Sequence, residues 1–226
     1  MVFSMIWTST LETLYMVFFS TLFSLLIGFP IGILLTVTKE GNILERPKLN
    51  KVLDFIINTL RSFPFIILMI LLFPLSRIIV GTTIGSTAAI VPLSISAAPF
   101  VARMIEGALN EVDKGLIEAS SSMGANNWTI IFKVMIPETM PHIIHGITVT
   151  VVSLIGFSAM AGTIGAGGLG DLAIRFGYQR FKTDIMVYAV IVIIIVVQIL
   201  QSLGNYLVYR AKKNTASIWK YIPPCC

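Results

Sequence analysis

Residues 118–137 read EASSSMGANNWTIIFKVMIP, a polar and charged insert between long apolar runs. Glu118 to Met123 suits a helical turn or two. Gly124 stops it, and Asn126 or Asn127 is placed to cap a second short helix. Pro137 closes the stretch just before the next apolar run begins.

The apolar runs on either side settle the class. Of the 226 residues, 56% are hydrophobic and only 12% charged, with a mean hydropathy of +0.89. An ordinary soluble domain carries about 25% charged residues. A bilayer core is crossed by about 20 mostly apolar residues in a helix. Five windows meet that length: Thr13 to Thr38, Phe55 to Ser76, Ile78 to Ala102, Thr139 to Gly170 and Ile185 to Tyr209. The second holds Arg61 and the fourth holds His142 and His145; the others hold no charge. The chain therefore reads as an all-α polytopic membrane protein with five transmembrane helices. One transmembrane domain covers 1–226, with its core at about 10–204, and 205–226 form the end of the last helix and a cytoplasmic tail. The first run does not read as a cleaved signal, because no Lys or Arg precedes it and it is too long.

Basic residues set the orientation, since cytoplasmic loops are enriched in Lys and Arg. Lys39, Arg46, Lys48, Lys51, Arg103, Lys114, Lys133, Arg210, Lys212, Lys213 and Lys220 fall on one side. Only Arg77, Arg175, Arg180 and Lys182 fall on the other. The N-terminus is thus expected outside, and the 118–137 insert and the C-terminus in the cytoplasm. The net charge of +5 is mostly this topology signal. A nucleic-acid partner would require a basic face on a soluble domain, and no such domain fits. Cys225 and Cys226, after Pro223 and Pro224, read as a tail rather than as a disulfide, metal or lipid site.

Gly28 and Gly32 in the first run are four apart, a pair that permits close helix contact. In the third window Gly85, Ala88, Ala89, Ser94, Ala97 and Ala98 are small, and Pro92 and Pro99 are expected to interrupt it. Helix packing explains that composition; a share in a translocation path is the other reading. Arg61 is expected to reach the interface or to pack near a pore mouth.

Several constellations fail as chemistry. Gly165-Ala-Gly167-Gly-Leu-Gly170 fits the dinucleotide fingerprint in letters, but that fingerprint requires a strand before it and a βαβ unit around it. A glycine-rich turn at the outer surface is expected instead. Glu138, His142 and His145 are spaced i, i+4, i+7, yet Pro137 and Pro141 interrupt them and no further histidine completes a metal site. No nucleophile–base pair and no phosphate-binding Gly-Lys-Ser/Thr loop stands out. The chain is expected to need no cofactor and to catalyse nothing itself. A helix after Gly124, lying across the membrane surface, is expected to present Trp128, Ile131 and Met135 to a partner groove.

The 118–137 stretch resembles the EAA loop of ATP-binding-cassette importer permeases, in which Glu-Ala-Ala, a Gly and an Ile-x-Leu-Pro recur at fixed spacing. Glu118, Ala119, Ser120, Gly124, Ile136 and Pro137 occupy those positions, with Ser120 for Ala and Val134 and Ile136 for Ile and Leu as the departures. The resemblance implies that this loop receives force from a separate ATPase. The whole chain also resembles the permease subunits of methionine importers, on Ala89-Ile-Val-Pro-Leu93, Ala97-Ala-Pro-Phe-Val-Ala-Arg-Met104, Gly115-Leu-Ile-Glu-Ala-Ser120, Ser158-Ala-Met160 and Gly165–Gly170. It implies a type I importer permease fold in the bacterial inner membrane, a homodimer with the path between the copies, and a dimer of ATPase subunits beneath. A lipid-anchored or periplasmic binding protein would deliver D- or L-methionine. Met160, beside Ser158, is implied as a narrow point of the path, an adaptable apolar side chain suiting an apolar amino acid. Permeases for other amino acids or osmolytes are the nearest alternatives. A stand-alone secondary transporter should show repeats and membrane-buried acids, and neither is seen.

Overall fold

The chain's structure, a computed structural model, describes residues 2–219; Cys225 and Cys226 lie outside them. Helix α1 spans Val2–Val37, about 54 Å at 1.5 Å per residue. It starts well before the expected Thr13, which places Glu12 inside a helix. Pro30 leaves it continuous.

The second window is corrected. Helices α2 (Pro47–Ser62) and α3 (Phe65–Val80) take one half of it each and meet at 106°. Pro64 excludes Phe63 from helical geometry, and Phe63 is extended at φ −71°, ψ 134°. Helix α2 lies against the bundle through Ile57 and Leu53, which pack on Leu35 and Ala102. Arg61 is exposed in its last turn rather than within an apolar span.

Glycines 81 and 85, at φ +85° and +100°, separate α3 from α4 (Ser86–Leu109). The third span therefore runs several residues later than the 78–102 window. Pro92 and Pro99 do not interrupt it. Helix α4 is the most buried spanning helix and packs chiefly on α1. A Cβ on Gly28 would lie 2.6 Å from the Ala98 carbonyl oxygen, and one on Gly32 2.6 Å from that of Ala102. Only glycine lets the two backbones approach so closely, which is how helices gain packing where lipid offers no hydrophobic drive.

Helix α5 (Lys114–Ser122) and α6 (Asn127–Thr129) follow. A π-helical stretch, Ile130–Met135, then leads to α7 (Ile136–Glu138) and α8 (Met140–Gly162). A glycine turn precedes α9 (Gly168–Asp171) and a second π-helical stretch, Leu172–Tyr178; α10 spans Thr183–Trp219. Among the described residues four helices are long and apolar enough to cross a membrane, and a fifth crossing results if the bent α2–α3 pair is taken as one span. Phe18, Leu26, Ile78, Ile194 and Ile199 are exposed, as lipid-facing side chains would be.

Candidate functional site

The 118–137 insert forms a corner at one end of the bundle. Asp113 starts α5 by accepting a 2.6 Å hydrogen bond from the Gly115 N–H. The helix stops in a paired C-cap: the Gly124 N–H donates to the Ser121 carbonyl and the Ala125 N–H to that of Ser120. That geometry places Gly124 at φ +84°, where a side chain is strained although space is free. Of the two candidate caps, Asn126 acts: its Oδ1 accepts from the Thr129 N–H at 2.8 Å.

The second arm of the corner is anchored. Ile130, Ile131 and Met135 are buried against Val37, Ile105, Leu109 and Ile143. Each such side chain contributes about 1.5–3 kcal/mol of burial. The Thr139 hydroxyl donates to the Met135 carbonyl at 2.9 Å, where the chain turns into α8. Ile131 and Met135 are therefore not presented to a partner, contrary to the α-helical expectation. The π-helical bonding, i→i+5, turns the chain less per residue and takes Trp128 off their stripe. What faces outward is Trp128 (71% exposed) stacked on Phe132, with ring centroids 5.7 Å apart, and Met123 beside the turn. Phe132 and Met123 were not singled out in the sequence, although their apolar character next to Gly124 and Asn126 was there to be read.

Glu118 and Ala119 are exposed on α5, and Pro137 is exposed on α7. Ile136 is half-buried. Ser120 is buried, its hydroxyl donating to the Leu116 carbonyl. A cleft of about 480 Å³ separates α5 from the turn after α1; Lys39 and Glu40 face Lys114 and Glu118 across it.

Further along, α8 separates Ser158 from Met160. Ser158 is 2% exposed and its hydroxyl donates to the Ile155 carbonyl at 2.8 Å, inside the subunit. Met160 is 49% exposed on the opposite face. Of Glu138, His142 and His145, Glu138 sits apart in α7, and His142 Nδ1 contacts the carboxylate of Glu111 instead.

At the other end, the glycine turn folds back on α8. Glycines 165, 167 and 168 have φ of +96°, +83° and +80°. A Cβ on Gly170 would lie 2.3 Å from the Ala159 Cα. Two α1 side chains cap α9: Glu12 Oε2 accepts from the Gly168 N–H at 2.8 Å, and Thr13 Oγ1 from the Leu169 N–H at 2.9 Å. Glu12 was missed because its partner lies 156 residues away. Burial raises the Asp171 carboxyl above its ordinary pKa; Glu12 adds to the rise and Arg175, paired at 2.7 Å, opposes it.

The family model described as binding-protein-dependent transport system inner membrane component matches residues 28–213. A probable D-methionine transport system permease protein of Pasteurella multocida is 54% identical over 202 residues, covering 89% of this chain and 93% of that one. A methionine import system permease protein of Bacillus subtilis is 49% identical, covering 88% and 90%. A chain of the MetNI methionine transporter, in a structure described as inward facing, superposes with a TM-score of 0.91 at 43% identity, covering 92% and 97%. An amino-acid transporter chain at 20% identity and a TM-score of 0.74 shares the fold. The chain belongs to the family of binding-protein-dependent transport system inner membrane components, and its fold is that of a type I importer permease.

Proposed function

We propose that this chain is the membrane-spanning subunit of an ATP-driven importer that carries D- or L-methionine inward. Two copies form the path, a pair of ATPase subunits binds the α5–α7 corner on the cytoplasmic side, and a binding protein delivers the solute to the glycine-turn side. The N-terminus is outside and the C-terminus in the cytoplasm. ATP hydrolysis belongs to the ATPase subunits.

The corner carries the reading. Its outer surface offers Glu118, Met123, Trp128 and Phe132, while its inner surface is locked to α1, α4 and α8 through Ile130, Ile131 and Met135. A push on the outer surface therefore moves as a rigid body into α8. Helix α8 bears Met160 on its exposed face and follows directly on α7, so the corner connects through α8 to the narrow point. Glu118, Ala119, Gly124 and Pro137 form or shape the docking surface; Ser120 and Ile136 hold it from within. Ser158 sets the packing behind Met160. Methionine is supported by the names of relatives at about half identity.

Reconstitution tests this reading. With its ATPase and binding protein in proteoliposomes, the complex should accumulate methionine only with ATP, and the permease alone should carry none. Met160→Ala should raise the ATP-independent leak. ATP-driven uptake of another solute in place of methionine would keep the mechanism and refute the substrate; uptake without the ATPase would refute the mechanism.

A further inference from the structure

A second cleft opens at the foot of α8, where α4, α8 and α10 meet, with a volume of about 540 Å³. That is within the ~300–1,000 Å³ of small-molecule sites. Its lining has three kinds of group. Glu111 supplies a carboxylate, Lys212 and His145 supply nitrogen donors, and Met104 and Val208 supply an apolar wall. Nothing in the coupling corner uses them.

The cleft lies on the face of α8 that also carries Met160. His142, His145, Val149, Gly156 and Met160 are all exposed and fall at intervals of three, four, seven and four residues, so they form one stripe. His142 and Met160 stand five turns apart, ~27 Å along the axis. A solute passing Met160 toward the cytoplasm would follow this stripe to the cleft.

We propose that the cleft is an exit-side site for an α-amino acid zwitterion with an apolar side chain. This rests on the permease reading above. Glu111 receives the ammonium, Lys212 and His145 receive the carboxylate, and Met104 and Val208 take the side chain. Glu111 already points into the cleft, held there by His142 Nδ1. An ammonium offers a full charge and three donors and so competes with the imidazole for it. The charges are solvent-exposed, with the Glu111 side chain at 58% and His142 at 49%. Exposed pairs contribute little in water, so the site holds its ligand weakly, as release requires.

Thiol protection tests it. Gly107 lines the cleft, is exposed, and has open space where a Cβ would stand. Gly107→Cys is made in a Cys225→Ser, Cys226→Ser background, assembled with the ATPase in lipid nanodiscs, and treated with a hydrophilic maleimide. Methionine should slow labelling by about threefold at twice its dissociation constant. Methionine methyl ester, lacking the carboxylate, should not. Glu111→Gln and Lys212→Gln should each abolish the protection, read as the ratio of labelling rates without and with methionine in the same variant, since the nearby charges also set the thiol's own reactivity. No protection, protection that survives both variants, or a thiol sealed off in the complex would each overturn the site. ATP-driven methionine uptake, measured with the same variant in proteoliposomes, separates the levels. Uptake without protection refutes the exit site alone, whereas absent uptake in the parent complex removes the permease reading and this one with it.

Discussion

At the residue scale, two glycines show opposite constraints. Gly28 is held by space, because any Cβ meets the α4 backbone. Gly124 is held by its backbone angle alone, because nothing stands within 4 Å of its Cβ position. The left-handed region costs roughly 1–2 kcal/mol for most residues and less for Asn. Gly124→Asn should therefore keep ATP-driven uptake near the parent level, while Gly124→Val, β-branched, should lose most of it with insertion intact. Equal uptake in both would show that the turn's geometry is not needed. Gly124 was legible in the sequence because a polar, Asn-rich stretch leaves a glycine only the role of stop. The orientation of Ile131 and Met135 was not, because π-helical bonding changes the angle per residue without a mark in composition. Glu12 was not legible either: a carboxylate that caps a helix 156 residues away has only tertiary evidence.

At the element scale, the number of crossings was readable from apolar length, but a window sums hydropathy without direction. Phe55 to Ser76 therefore passed as one span, although Pro64 ends one helix and begins another. The fastening of α2 was equally hidden. Arg103 on α4 reaches Asp54 at 2.5 Å and Asn58 at 2.9 Å on α2, and Glu106 at 2.6 Å on its own helix. The α9 cap has a consequence for pH. The native Asp171 carboxyl binds its proton more tightly than the unfolded chain does, because its pKa is raised from 3.8. Its stabilising contribution is present below the unfolded pKa and is lost as pH rises through the native one. Thermal unfolding of the detergent-solubilised protein should show the parent losing stability across that window, and Asp171→Asn showing a flatter profile. Parallel profiles would mean that the burial of Asp171 is not felt in the folded state.

At the scale of the whole molecule, helix α8 puts the α5–α7 corner and the glycine turn at its opposite ends. In a background without Cys225 and Cys226, Thr183→Cys should react with an impermeant maleimide on intact cells, and Ser121→Cys only after permeabilisation. The reverse pattern would invert the topology. Force transfer from corner to bundle is the central claim, and Trp128 and Phe132 are its sharpest point. Both are exposed, so replacing them leaves the internal packing alone. The most direct measurement is ATP-driven methionine uptake, with co-purification of the ATPase, for the Trp128→Ala, Phe132→Ala double variant. Removing two aromatic anchors from a docking surface should reduce uptake at least ~10-fold and weaken co-purification, with the permease normally inserted. Full uptake with the ATPase still bound would contradict the claim that the ATPase drives transport through this corner.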